Sequence, residues 1–250
     1  MAGMDDLIEL PADFGGLVRL FPLPDLVVFP HAMQPLHIFE PRYCDLLAES
    51  LASDRLIAMA TLRKFTAGES AAATDRQRIH PTVCIGKIVS HIETDDGRHN
   101  VLLIGAKRAR VRRELSTNRS FRMAEVELAD DVHPPASGGQ LAELKREVLD
   151  AFAAVIPATA TVHQNLHELM AGQMGLGPIT DIIAYTLPLD TESKLRLLDQ
   201  PHLGKRTRLL IRLLRANQAA TAPGGGAPAA SSPAVGQTPS RAFPPPFSIN

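Results

Sequence analysis

The histidines of the segment "HQNLHE" are the residues whose types and spacing best suit a metal ion. His163 and His167 lie four residues apart, which would place both imidazoles on one face of a helix. A zinc-protease helix needs glutamate directly after the first histidine, and this chain has Gln164 there. The sequence indicates no third ligand. We therefore interpret the pair as solvated or capping residues and predict no metal site.

The motifs of nucleotide-driven and hydrolytic enzymes are missing from the sequence. Neither Gly-Lys pair is followed by serine or threonine, so the chain has no phosphate-binding loop of the G-x-x-x-x-G-K-[ST] type. It has no G-x-S-x-G nucleophile elbow either. Ser193 and Lys194 are adjacent at a predicted helix start, where their side chains would diverge instead of forming a dyad. The sequence predicts no catalytic residue and no cofactor.

The segment "KRARVRR" is the strongest charge feature of the chain. In a strand, Ala109 and Val111 would point to one face, and Arg108, Arg110 and Arg112 to the other. Such a basic stripe is the footprint of a nucleic-acid binder, although the chain has no tryptophan and only 4% aromatic residues for stacking. Three interpretations stay open: a solvated or salt-bridged face, a contact for a polypeptide or acidic partner, and an RNA contact.

The composition is that of an ordinary globular protein. The chain has 250 residues, of which 45% are hydrophobic and 21% charged, and its formal net charge is −1. This balance gives no overall bias toward nucleic acid or anionic membranes. Cys44 and Cys84 are too few for a disulfide framework or a four-thiolate zinc site, so we expect reduced, mostly buried thiols. Without a secretory signal or an apolar run of membrane-spanning length, the expected location is cytoplasmic, with no membrane contact.

Short apolar runs separated by turn residues predict a β region from Leu17 to about Leu128. The prolines near its start suit strand ends and corners, as a small closed or half-closed barrel needs. Asp96-Gly97 is the expected hairpin turn, and a helix is expected to begin at Pro41. The candidate strands are "LVRLF", "DLVVF", "LHIF", "RLIAMATL", "VCIGKIVSHI", "NVLLIGAK", "ARVRREL" and "RMAEVEL".

The hydrophobic period changes to that of helices after "DDVHPPASGG". Leu144, Val148 and Phe152 recur on one helical face, and Asp190 is placed to cap a later helix. The basic residues of "KRTRLLIRLLRAN" are interpreted as the solvent-facing side of an amphipathic helix. The last segment is rich in Ala, Pro, Gly and Ser and is predicted to be disordered. The predicted divisions are an N-terminal extension 1–15, a β subdomain 16–136, a helical bundle 137–217 and a tail 218–250.

The stretch "FPLPDLVVFPHAMQPLHIFEPRY" resembles the start of the N-terminal, substrate-binding domain of the Lon proteases, a module also found in cereblon. Its "HIFEPRY" part is more similar to the stand-alone bacterial members of this family. The resemblance continues through "VCIGKIVSHIETDDGRHNVLLIGAKRARV" and "FRMAEVE" into "TDIIAYTLPLDTESKLRLL". The resemblance covers roughly residues 16–216, and it rests on the order and spacing of these stretches taken together.

The resemblance implies an α+β fold in which a PUA-like β pseudo-barrel is followed by a C-terminal helical bundle. It also implies a non-catalytic module that binds unfolded or exposed polypeptide segments, because the ATPase and Ser-Lys protease parts of full-length Lon are missing from the sequence. An adaptor or quality-control role beside an ATP-dependent protease would follow. RNA binding through the basic strand 107–113 is the alternative, and the oligomeric state is left open.

The candidate contact residues come from the predicted strand-to-helix corner "FEPRY" and from the basic strand. At the corner they could form either a partner surface or an element of the fold. The candidates are Phe39, Glu40, Arg42, Tyr43, Arg108 and Arg110. His31 stands where the family commonly has glycine, and histidine accepts a positive φ less readily, so the turn there is expected to differ.

Overall fold

The computed structural model describes residues 8–63, 78–133, 138–155 and 174–221, which form a mixed α+β fold, as predicted. The strands are β1 (Leu17–Leu23), β2 (Met33–Ile38), β3 (Leu56–Thr61), β4 (Thr82–Glu93), β5 (His99–Leu115) and β6 (Arg122–Leu128). The helices are α1 (Pro41–Leu51), α2 (Gly138–Ala153), α3 (Leu176–Thr186), α4 (Thr191–Leu198) and α5 (Leu203–Thr221). His163, His167 and the end of the predicted tail lie outside the described residues.

The strands form one sheet in the order β2-β5-β4-β3-β1-β6. Because β6 pairs with both β1 and β5, the strands β5, β4, β3, β1 and β6 close into a ring, and β2 lies outside it. β5 is 17 residues long, so its first part can pair with β2 and its last part with β6. The pairing of β1 with β3 is parallel, and the other pairings are antiparallel. The closer assignment as a PUA-like barrel stays a prediction.

Two details of the strand prediction are wrong: the division of one long strand into two, and the strand at "DLVVF". "NVLLIGAK" and "ARVRREL" are both part of β5, which bends through register shifts instead of a turn, one of them between Val111 and Arg113. "DLVVF" forms no strand within the described residues, and its apolar side chains are divided between two cores. Val28 packs among the strands and α1, whereas Val27 and Phe29 pack among the helices α2 to α5.

The segment that follows "DLVV" crosses β5 at Gly105. The amide of His31 donates to the Gly105 carbonyl at 2.7 Å, and the amide of Gly105 donates to the Ala32 carbonyl at 2.9 Å. A Cβ added at Gly105 would lie 2.0 Å from the Phe29 carbonyl oxygen, so the approach requires glycine. His31 has a φ of 64° and thus takes the left-handed conformation that glycine favours.

The predicted helix and turn signals lie where the structure uses them. Pro41 opens α1, and Asp190 caps α4 by accepting a hydrogen bond from the amide of Ser193 at 2.8 Å. Hydrogen bonds from the side chain and the amide of Ser193 lower the pKa of the Asp190 carboxyl. Gly97 has a φ of 74° in the hairpin turn between β4 and β5. Local sequence signals therefore determine where several elements begin and end.

Three large groups of buried apolar residues position the elements, and a fourth, small group contains Ile8, Ile104 and Ala106. Alternate residues of β1, β3 and β4 enter two different groups, so both faces of these strands are covered. One of these groups includes Tyr43, Leu46 and Leu47 of α1. The third group lies among α2 to α5 and also contains Phe29 from the β region. Phe29 thereby joins the sheet to the helices.

Candidate functional site

The outward face of β2, β5 and β4 carries exposed apolar side chains. Cross-strand pairing aligns His37 of β2 with Asn100 of β5 and Ile92 of β4, so these three side chains share one face. Met33 lies four residues before His37 in β2, so its side chain points to the same face of the sheet. Exposed fractions are 51% for Met33, 61% for Phe39 and 59% for Ile92. We call these three residues the apolar face.

Phe39 extends this face at the corner where β2 ends and α1 begins. Its ring centroid lies 6.0 Å from that of His37, and His37 Nδ1 is 2.8 Å from Asn100 Oδ1. Within the described residues, β2 pairs with β5 alone, so its other edge has no strand partner. An open strand edge beside exposed apolar side chains is a surface to which an extended peptide can add.

Glu40 and Arg42 flank the same corner as an exposed ion pair. Arg42 Nη2 lies 2.8 Å from Glu40 Oε2, and both side chains are about half exposed. The Arg42 guanidinium also lies over the Tyr43 ring, 4.6 Å from its centroid. An exposed ion pair stabilises little, so both charges remain available to a partner. The structure brings Phe39, Glu40 and Arg42 together, and their role in binding stays a prediction.

Tyr43 is a core residue, which corrects its inclusion among the surface candidates. It is 5% exposed, its ring stacks on Phe21 at 4.2 Å between centroids, and its hydroxyl donates to the Pro22 carbonyl at 3.0 Å. Burial raises the pKa of the Tyr43 phenol. Its position in the first turn of α1 points the ring toward the strands, so a partner at the surface cannot reach it.

Arg108 is also buried, so the predicted open stripe of arginines on β5 is wrong at this position. The residue is 4% exposed and lies beneath the helices. Its Nη1 donates to Asp181 Oδ2 at 2.9 Å, its Nη2 donates to Asp181 Oδ1, and its Nε donates to the Leu198 carbonyl at 3.1 Å. The prediction that Arg108 and Arg110 point to the same face of the strand was correct. The sequence did not reveal that α3 and α4 cover the part of this face at Arg108.

Arg108 belongs to a buried ion network that joins β5 to α3 and α5. Arg206 of α5 donates to both oxygens of Asp131, at 2.8 and 2.6 Å, and its Nε lies 3.4 Å from Asp181 Oδ1. Asp131 lies 3.5 Å from Arg108. We call Arg108, Asp131, Asp181 and Arg206 the buried network. Two guanidinium groups and two carboxylates balance in charge, which burial requires.

Asp131 and Arg108 of the buried network are held in their charged forms by their partners. Burial of Asp131 opposes ionisation, but hydrogen bonds and charge from Arg206 outweigh it, so the pKa of Asp131 is lowered. Burial disfavours the charged form of Arg108, and the neighbouring Asp181 carboxylate overcomes this effect and raises the Arg108 pKa. These shifts have a structural cause and do not indicate a catalytic acid or base.

The remaining cations of the basic strand are mostly neutralised by neighbouring carboxylates. Lys107 pairs with Asp130 at 3.2 Å, Arg113 with Glu125 at 2.5 Å, and Arg112 with Glu127. Arg110 is exposed and has no ion pair within the described residues. A single unpaired arginine is a poor basis for nucleic-acid affinity, which grows with the number of phosphate contacts. The RNA alternative therefore finds no support here.

A cavity of about 750 Å³ lies between the sheet and the helices. Segment 8–12 forms one wall, and Arg108 and Asp181 lie on another side. Its lining mixes apolar residues with ionisable ones, among them His31 and His133. This is a different environment from the apolar face, because its lining is rich in charged residues and three of them, Arg108, Asp131 and Asp181, belong to the buried network.

The described residues include no metal-binding cluster, and the buried thiol among them is a poor nucleophile. They contain no cluster of three or more His, Cys, Asp or Glu side chains arranged to hold a metal ion. Cys84 is buried, and burial raises the pKa of its thiol to about 12, so it is not a ready nucleophile. Cys44 is a half-buried free thiol. No helix in the described part of the chain is long and apolar enough to cross a membrane.

Comparison with known families matches residues 18–216 to the substrate-binding domain of the ATP-dependent protease La (LON). The Lon protease of Heliobacterium modesticaldum is 23% identical over 195 residues, which is 78% of this chain and 23% of that protein. The Lon protease of Koribacter versatilis is 28% identical over 181 residues, which is 72% of this chain and 21% of that protein. The chain therefore spans about a quarter of the length of these relatives.

Solved structures of Lon N-terminal domains share the fold. The N-terminal domain of the Mycobacterium avium complex Lon protease superposes with a TM-score of 0.60 at 17% identity, covering 80% of this chain and 98% of the other. A Lon N-terminal domain protein from Xanthomonas campestris gives a TM-score of 0.52 at 20% identity, covering 78% and 97%. Identities this low establish the fold alone. The predicted kinship to cereblon stays a prediction.

Proposed function

This chain belongs to the family of the LON substrate-binding domain, and we propose that it is a non-catalytic module that captures exposed segments of unfolded polypeptide. The family supports recognition of protein substrates in general terms. The location of the binding surface and the absence of catalysis are our proposal. An adaptor or quality-control role beside an ATP-dependent protease is the cellular use that this proposal implies.

The apolar face is the observation that carries the proposal. Met33, Phe39 and Ile92 are three of the six large apolar residues that the described structure leaves exposed. Met33 and Phe39 lie on or directly after the edge strand β2, and Ile92 lies on the same sheet face two strands away. Scattered exposed apolar residues need no explanation, but a group on one sheet face marks an interaction surface. Its apolar side chains suit the hydrophobic segments that unfolded chains expose.

Capture would combine the apolar face with the open edge of β2. An extended segment beside β2 can form backbone hydrogen bonds that do not depend on its sequence, and its apolar side chains can cover Phe39 and Met33. The Glu40–Arg42 pair at the corner would add contacts to polar groups of the same segment. Ordering a flexible chain costs entropy, so affinity at a single site should be modest.

The lack of catalysis is supported by the chemistry of the described residues and by the sequence. The matched region is the substrate-binding part of the family, and the motifs of a phosphate-binding loop and a nucleophile elbow are missing from the sequence. The strongest charged cluster, the buried network, is self-neutralised, because each of its guanidinium groups faces carboxylates. We also propose that the ring of strands is a PUA-like barrel. The pairing of β6 with both β1 and β5, which closes the ring, supports this description.

A fluorescence anisotropy titration with a labelled, permanently unfolded polypeptide tests the proposed site. The double variant Phe39→Ala/Ile92→Ala should weaken binding at least tenfold, since apolar anchors of an interface typically carry one to a few kcal/mol each. Leu17→Ala is the matched control, because Leu17 is 50% exposed but lies on β1, away from the apolar face. This control should bind as the parent does.

Two outcomes would contradict the proposed function. Equal binding by the parent and the double variant would remove the apolar face from the site. Absence of polypeptide binding, together with salt-sensitive binding of single-stranded RNA that Arg110→Glu abolishes, would favour the nucleic-acid alternative. Circular dichroism and thermal melting of each variant show whether the fold is kept, which is expected because the substituted side chains are exposed.

A further inference from the structure

A second open surface lies between α4 and α5, on the helical part of the chain. It is a pocket of about 450 Å³, within the usual size range of ligand sites. Its residues come from the end of α4, the loop that follows it and the outer side of α5. The lining residues are Arg196, Asp199, Gln200, Lys205, Arg208, Leu209 and Arg212.

The pocket concentrates positive charge. Its lining includes four cations, Arg196, Lys205, Arg208 and Arg212, which we call the basic pocket, and one carboxylate. None of the four has an ion pair within the described residues. The carboxylate, Asp199, accepts a hydrogen bond from the Thr82 hydroxyl of β4. The local excess of positive charge is therefore uncompensated by the described part of the fold.

Elsewhere on the described surface, arginines usually have a carboxylate partner. Arg42, Arg98, Arg119 and Arg215 are exposed, and each pairs with an acidic residue within 3.1 Å. The basic pocket departs from this pattern at four neighbouring positions. Like charges held close together repel one another. An anionic ligand would therefore lower the electrostatic free energy of these four cations.

The arrangement of the cations suits an elongated anion. Lys205, Arg208 and Arg212 follow each other at intervals of three and four residues, which places them along one side of α5. Seven residues of helix span roughly 10 Å at about 1.5 Å per residue. Arg196 approaches from α4 and completes the opposite side. Side chains on one side of an extended peptide repeat every ~7 Å, so two or three carboxylates can meet this row.

The chemistry of the lining favours carboxylates over nucleic acid. Guanidinium groups form bidentate hydrogen bonds with carboxylates and with phosphates, so charge alone does not separate the two. The lining has no aromatic residue on which a base could stack, and it contains the half-buried apolar Leu209. The aliphatic part of a glutamate side chain can pack on Leu209 while its carboxylate meets the cations.

We propose that the basic pocket binds an acidic segment of a polypeptide, with Arg196, Arg208 and Arg212 contacting its carboxylates. The choice of a polypeptide rests on the proposed function, but the pocket is separate from the apolar face. A substrate with an acidic segment beside a hydrophobic one would then engage two surfaces of the same chain. Its apparent affinity would rise through the effective concentration of the second segment.

The first test is an anisotropy titration of the full chain with a labelled peptide in which glutamate and leucine alternate. A matched peptide with glutamine in place of glutamate should bind at least tenfold more weakly. The double variant Arg208→Glu/Arg212→Glu should lower affinity for the acidic peptide at least tenfold, and raising the salt concentration should weaken the parent complex. Affinity for a neutral unfolded polypeptide should be unchanged by this variant.

A matched charge control separates a specific pocket from a general effect of charge. Arg110→Glu/Arg146→Glu changes the net charge equally, at two exposed arginines that lie outside the pocket and have no ion pair within the described residues. An equal loss of acidic-peptide binding in this control would overturn the proposal. If Arg208→Glu/Arg212→Glu disturbs folding, Arg208→Gln/Arg212→Gln removes the charges without reversing them and should still weaken binding.

Competition identifies the class of ligand. The labelled acidic peptide is displaced with unlabelled acidic peptide, sodium triphosphate or single-stranded RNA. If triphosphate or RNA displaces it at lower concentrations than the unlabelled peptide does, the assignment to a peptide is overturned.

The two proposals also fail in different ways. Loss of neutral-polypeptide binding with acidic-peptide binding intact would reject the apolar face only. Unchanged acidic-peptide binding in both pocket variants would reject the basic pocket only.

Discussion

Arg206 and Arg208 lie two residues apart on α5, yet they belong to opposite environments. Arg206 is 0% exposed and donates to both oxygens of Asp131, whereas Arg208 is exposed and has no ion pair within the described residues. Two positions along a helix differ by about 200° around its axis, so one side chain enters the core and the other faces the solvent. The buried network and the basic pocket are thus built from opposite sides of one helix.

The contrast separates charges that support the fold from charges that can bind a partner. In the buried network every cation faces a carboxylate, and removal of one partner would leave a charge unpaired in a low-dielectric region. In the basic pocket the cations are hydrated and can exchange water for a ligand at little cost to the fold. The same residue type therefore predicts different consequences of substitution in the two regions.

Substitution of Asp181 should produce the largest effect. Asp181→Asn removes the carboxylate that pairs with Arg108, and it leaves both buried arginines with only Asp131. The free energy of unfolding should fall by about 3–5 kcal/mol, as is typical when one partner of a buried ion pair is lost. Urea denaturation followed by circular dichroism measures this change. Asp150→Asn, at an exposed position on α2, is the control and should be nearly neutral.

Acidic pH should weaken the buried network through Asp131. The pKa of its carboxyl is lower in the folded chain than in the unfolded chain, so the ionised form adds stability above the unfolded pKa of about 4. That contribution is lost as the pH falls from about 4 through the lowered folded pKa. Urea midpoints measured between pH 7 and pH 3 should therefore decrease.

Asp131→Asn isolates this part of the acid response. The variant should lose about 1.5–3 kcal/mol at pH 7, because hydrogen bonds to a charged group are weakened. Its further loss between pH 7 and pH 3 should be smaller than that of the parent chain. Identical pH dependence in both proteins would show that Asp131 does not titrate with folding, and it would weaken the distinction between the two regions.

Substitutions in the basic pocket should have the smallest effect on stability. Arg208→Met keeps the length of the side chain and removes an exposed charge, so the free energy of unfolding should change by no more than about 0.5 kcal/mol. Arg206→Met on the same helix should cost several times more, since it breaks its hydrogen bonds to Asp131. Similar losses for both variants, measured by urea denaturation, would contradict the proposed separation of roles.

The candidate site was predictable from the sequence only in part. Alternation in "MQPLHIF" places Met33, His37 and Phe39 on one side of a strand, which is a signal for the apolar face that went unused. Ile92 could not be added from the sequence, because its place on the same face as His37 depends on the register of β4 and β5. The register is fixed by long-range pairing, which no local pattern encodes.

Local sequence determined the features that depend on neighbouring residues. Pro41 and Asp190 specify helix starts through backbone geometry and capping, Gly97 supplies the turn of a hairpin, and alternating residues assign strand faces correctly. The order of the family-like sequence stretches between residues 18 and 216 also identifies the family. These signals act over a few residues or along the linear order of the chain, so the sequence contains them directly.

Only the tertiary structure decided which charged side chains are covered. Strand parity placed Arg108 and Arg110 on the same face, but α3 and α4 bury Arg108 against Asp181 and leave Arg110 in solvent. Likewise, α5 was recognisable as amphipathic, while the partner of Arg206 lies 75 residues earlier in the chain. Burial of a charge depends on elements far apart in sequence that meet in space, and the free energy that selects their arrangement belongs to the whole fold.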